Sequence, residues 1–207
     1  MIHIYALSHL YDKKVTAWKA EVERQEADQK FQYVTYGPLH RAIIKELRRP
    51  GIGKEELDLQ LLSIARMPHA KSVSENSRVY LDTFLTKFLP LLPNFIDDYL
   101  GDPSTPPVTL GGEEIKGNFH FCAHDPNGER RFCYLHASKW SKQEITGHLE
   151  LLTMIAEKRF GVGREAVWML DLPKGELCYP EKDPKRIVKL RKELTNAVEI
   201  YQRLFTK

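Results

Sequence analysis

Apolar residues recur every three or four positions through the first hundred residues, then alternate with a period of two after a proline-rich loop. From about Leu7 to Gln29, Leu10, Val15, Trp18 and Val22 form a stripe among charged residues, predicting a helix packed on one side. A second helix is predicted from near Pro38, whose missing N–H costs nothing in a first turn, to about Arg49, where Pro50-Gly51 stops it. A third covers roughly Lys54 to Arg66. A fourth follows Ser74, carries Arg78, Leu81, Phe84 and Phe88, and is broken or kinked by Pro90 and Pro93 before Tyr99.

Past the loop Gly101 to Pro107, Val108 to Leu110 and Glu114 to Ala123 read as strands. In the second, Ile115, Gly117, Phe119 and Phe121 alternate with Lys116, Asn118, His120 and Cys122. Asp125-Pro126-Asn127-Gly128 is a hairpin signal, because Asn-Gly tolerates the positive φ of a tight turn, and Arg131 to Ala137 is the partner strand. Ser141 with Glu144 forms a capping box that opens a helix to Phe160, with Ile145, His148, Leu149, Leu152, Ile155 and Ala156 on one face. Glu165 to Leu170 and Glu176 to Tyr179 read as short strands joined by Leu172–Gly175, and Asp183-Pro184 opens a last helix to about Phe205. The order predicts a single α/β domain over residues 1–207, mainly helical in 1–106 and built of sheet and helix in 107–207.

Composition narrows the class. At 207 residues, 42% hydrophobic and 29% charged, the chain has the balance of a globular domain. The longest apolar run, Phe84 to Phe95, is interrupted by Lys87, Pro90 and Pro93, so no membrane span is expected. The start MIHIYALSHLYDKK lacks the layout of a secretory signal, which makes the cytoplasm the expected location. Cys122, Cys133 and Cys178 form no CxxC pair and are expected as reduced thiols. A net charge of +3 is too small to argue nucleic-acid binding by itself, so any such case rests on local clusters.

Four short motifs fall in order on these elements: Gly37-Pro38-Leu39-His40, Gly117-Asn118-Phe119-His120, Tyr134-Leu135-His136 and His148-Leu149-Glu150-Leu151-Leu152. Their order and spacing resemble the RecB-like branch of the PD-(D/E)XK nuclease superfamily. Its members carry a helical GxxH, a strand with Gly-x-x-Asp, a strand with Glu-x-Lys and a helix with Gln-x-x-x-Tyr. The resemblance spans about Tyr36 to Leu170 and implies a restriction-endonuclease-like core, a mixed central sheet flanked by helices, with a helical N-terminal half. It also implies where the chemistry departs. His120 stands for the metal-binding aspartate, and Tyr134 and His136 stand for the Glu-x-Lys pair. Magnesium prefers carboxylate and water oxygens, so imidazole and phenol are poor replacements.

The expectation is a catalytically inactive nuclease-fold domain that binds nucleic acid, DNA or RNA, or serves as a scaffold for a protein partner in a DNA-processing or defence complex. Two alternatives stand beside it: an active metal-dependent nuclease with a rearranged site, and a protein-interaction module without nucleic-acid contact. His40, His120, Tyr134, His136 and His148 are the degenerate motif positions. No cofactor is expected, while His120, His136 and His148 are the set through which a divalent metal (Mg, Mn or Zn) would bind. Glu144, Glu150, Lys139 and Lys142 are the residues that a rearranged nuclease would recruit. Arg130, Arg131, Lys139 and Lys142 are candidate phosphate contacts, with Trp140 as a base-stacking group.

Overall fold

A computed structural model gives the architecture, and the structure describes residues 2–11, 17, 36–67, 70–97 and 108–205. Eight strands are present among them: β1 (Ile2–His3), β2 (Asn94–Asp97), β3 (Val108–Leu110), β4 (Glu113–Lys116), β5 (Phe121–His124), β6 (Arg130–His136), β7 (Val167–Asp171) and β8 (Glu176–Cys178). Six α-helices accompany them: α1 (Ile4–Tyr11), α2 (Gly37–Arg48), α3 (Gly53–Ile64), α4 (Ala70–Thr83), α5 (Lys142–Phe160) and α6 (Pro184–Phe205). The chain is a mixed α/β fold with a helical N-terminal half and two mixed sheets flanked by helices.

The larger sheet has the order β2-β5-β6-β7-β8. β2, β5 and β6 are antiparallel neighbours, β6 and β7 run parallel, and β8 returns antiparallel. A parallel pair cannot be joined by a tight turn, and α5 makes the crossover between β6 and β7. All five residues of β7 are buried, as expected of a strand covered on both faces. One face packs on α5, α6 and the smaller sheet through Phe132, Leu149, Leu152, Val167, Met169 and Leu194. The other packs on α2, α3 and α4 through Leu39, Ile43, Leu57, Leu81, Phe121 and Leu135.

The hairpin and the central helix follow the expected turn and cap chemistry. The Asp125 carboxylate accepts the N–H groups of Asn127 and Glu129, and Gly128 takes φ +81°. Ser141 Oγ accepts Glu144 N–H while Glu144 accepts Ser141 N–H, and Gly161 closes α5 at φ +64°. However, α5 is buried well beyond the single face that its sequence suggests, with Gly147, Glu150, Leu151 and Thr153 also inside. The smaller sheet, β1-β4-β3, and α1 add cover on that side.

Three expectations are corrected. The strand expected from Glu114 to Ala123 is two strands in different sheets, and the break lies at Gly117, where an added Cβ would sit 2.3 Å from Ile4 Cδ1. The fourth helix begins at Ala70, and after a π-turn (Phe84–Phe88) and a 3₁₀ turn (Leu89–Leu91) at Pro90 the chain forms β2. The sequence hides this edge strand behind its two prolines. The first helix is preceded by β1, and beyond Tyr11 the stretch expected to run to Gln29 lies outside the described residues apart from Ala17, as does the loop 101–107.

Candidate functional site

Four elements bring the motif residues together at the end of the sheet where β6 and β7 finish. The packing of Leu39, Ala42 and Ile43 against the sheet fixes α2 so that His40, in its first turn, meets the His120 ring at 4.3 Å between centroids. His120 sits in the bend before β5, not on a strand, yet its N–H still bonds Cys133 O at 2.9 Å. Tyr134 and His136, two residues apart, share one face of β6. His148 reaches that face from α5.

The rings form a continuous chain. Tyr134 contacts His120 at 4.7 Å and His148 at 4.5 Å; Trp140 then contacts His148 at 4.8 Å and His136 at 4.3 Å. The five motif positions therefore converge, with Trp140 as the sixth member. Aromatic separations of this size are those of packed edge-to-face and tilted pairs, so the rings fill the space between the elements.

Hydrogen bonds assign two tautomers. Leu135 N–H donates to His120 Nδ1 at 3.0 Å, which leaves the His120 proton on Nε2. The Ser8 hydroxyl donates to Ile4 O, so at 2.9 Å it accepts from His148 Nδ1–H. Burial dominates the titration of the stack. It holds His40 down at about 4, helped by the charges of Arg41 and His136, and it holds His120 well below the ordinary imidazole range. Burial also lowers His136 to about 4 against the opposing pull of the Asp171 carboxylate. These three histidines are neutral at pH 7.

The buried carboxylate beside the stack is Asp171, the last residue of β7, which pairs in register with His136. Its Oδ1 accepts Lys174 N–H at 3.3 Å and its Oδ2 lies 3.2 Å from Lys174 Nζ. The Nε2 atoms of His40 and His136 are buried with no hydrogen-bond partner among the described residues. Sequence reasoning passed over Asp171, whose one signal is its place as an acid at the end of β7, before the Leu172–Gly175 turn. Ser8 carries no sequence signal, because only the fold brings α1 against α5.

The remaining candidates divide between surface and scaffold. Lys139 and Lys142 are exposed beside the stack. Trp140 is 7% exposed inside it, which leaves no free face for a base. Arg131 lies at the far end of β6, paired with Asp125 at 2.6 Å and donating to Glu165 O at 2.8 Å. Arg130 bonds Cys122 Sγ at 3.1 Å and covers the Phe132 ring. Glu144 is spent on the cap, and Glu150 is held by Arg164 and Arg191. Among the described residues no three His, Cys, Asp or Glu side chains form a group fit to hold a metal ion, and Tyr134 and Trp140 intervene between His120, His148 and His136. No helix among them is long and apolar enough to cross a membrane.

No protein-family model matches the chain, and no curated protein matches it.

Proposed function

We propose that this chain is a catalytically silent, RecB-like nuclease domain that retains the scaffold for nucleic-acid binding, within a DNA-processing or defence complex in the cytoplasm. The supporting observation is the convergence of His40, His120, Tyr134, His136 and His148 into one stack. Their sequence order resembles a hydrolytic site, and their side chains are neutral rings packed on one another. A magnesium-dependent hydrolase needs oxygen ligands around an open position. Here rings occupy that space, and no cofactor is required.

Asp171 favours a second reading, an active nuclease with a rearranged magnesium, manganese or zinc site. A single carboxylate already engaged by Lys174 falls short of that demand. Binding relies instead on Lys139 and Lys142, exposed next to the stack, as phosphate contacts.

Gel retention of labelled single-stranded and duplex DNA at low salt tests the reading. The expected result is a shift that weakens steeply as salt rises and weakens further in a Lys139→Ala/Lys142→Ala variant. Absence of any shift at low salt would leave a protein partner as the occupant of this scaffold.

A further inference from the structure

A second surface lies at the opposite end of the larger sheet. Arg131 and Trp168 mark it, five residues back along β6 from His136, or roughly 16 Å at the usual strand rise. There the hairpin Asp125–Asn127, the start of β7 and the β8–α6 connection enclose a groove of about 630 Å³. That volume suits a ligand of nucleotide size.

The groove is built. Trp168 is held between the Arg131 guanidinium, 5.2 Å from its ring centre, and the Tyr179 ring, set edge-to-face at 6.2 Å and 87°. Tyr179 is 53% exposed, so one aromatic face is open to a ligand while its neighbour fixes its position. Arg164 donates to Glu181 O, and Glu181 in turn accepts the N–H groups of Lys182 and Asp183, which rigidifies the connection. Of the charged groups that line it, Asp125 is turned inward and saturated by Arg131 and backbone N–H groups, Arg164 is engaged by Glu150, and Glu165 and Lys182 are exposed. Lys182, with Lys185 exposed just beyond the lining, enters no ion pair among the described residues and supplies the contact for an anion.

We propose that this groove binds single-stranded nucleic acid, with one base stacked on Tyr179 and its phosphate held by Lys182. A flat ring beside exposed ammonium groups is the combination that non-sequence-specific single-strand binders use. The site is separate from the histidine stack and does not depend on what that stack binds.

Two of the three tryptophans report on the two surfaces, Trp168 in the groove and Trp140 in the stack. Full-length protein carrying ¹⁵N-labelled indoles would be titrated at low salt with a ten-nucleotide oligothymidylate. The expected result is a shift of the Trp168 indole resonance with Trp140 unmoved. Tyr179→Ala should weaken binding about tenfold and Tyr179→Phe should leave it intact. Lys182→Ala should flatten the salt dependence by about one phosphate contact. Movement of Trp140 alone, or a Tyr179→Ala variant with unchanged affinity, would overturn this site while leaving nucleic-acid binding at the stack. Silence of both resonances would overturn both.

Discussion

Histidines kept neutral by burial carry a cost that appears in acid. Unfolded, each imidazole takes a proton near 6.5; folded, His40 and His136 do so only near about 4. Between those values the unfolded chain binds more protons than the folded one, so stability is intact above about pH 6.5 and falls as pH drops toward about 4. A buried histidine of this kind removes about 1.4 kcal/mol per pH unit within the window. Urea-unfolding midpoints across it should show the decline, and His136→Phe, which keeps a ring in the stack, should make it shallower; an unchanged slope would contradict the assignment. At this scale the sequence disclosed the motif histidines through their order on the chain. It did not disclose Ser8 or Asp171, because neither belongs to a spacing pattern and both reach the stack through tertiary contacts. Trp140, between two lysines, reads from the sequence as a base-stacking group or a core residue, and it is a buried member of the stack.

At the scale of elements, local chemistry was the most legible. The Asp125–Gly128 turn and the Ser141/Glu144 box are decided by residues within a few positions of each other, and both form as expected. The split at Gly117 and the edge strand β2 are decided by partners far along the chain, Ile4 and β5, so periodicity could not reveal them. Glu150 shows the same limit. It reads as a solvated helix residue, yet it is fully buried and joins α5 to Arg191 on α6 at 2.6 Å and to Arg164 at 3.4 Å. A carboxylate removed from water is tolerated only with such partners. Glu150→Ala should therefore lower unfolding stability by about 3 kcal/mol in denaturant titration. Arg191 and Arg164 can regain water, which keeps the loss from being larger. A change within about 0.5 kcal/mol, the range of an ordinary surface substitution, would show that the clamp contributes little.

At the scale of the molecule, the larger sheet sets the two proposed sites at its two ends. Where β6 and β7 finish, β6 itself, α2, the bend before β5 and α5 deliver four histidines and a tyrosine to one place. At the other end, the hairpin and the β8–α6 connection leave an aromatic, basic groove. The proposed domain does not hydrolyse nucleic acid at the first place. The direct measurement is a time course of labelled single-stranded and duplex DNA with the full-length protein in magnesium and, separately, in manganese. Intact substrate is expected in both metals, for the protein and for its His120→Ala variant alike. Metal-dependent cleavage that disappears in His120→Ala would contradict it.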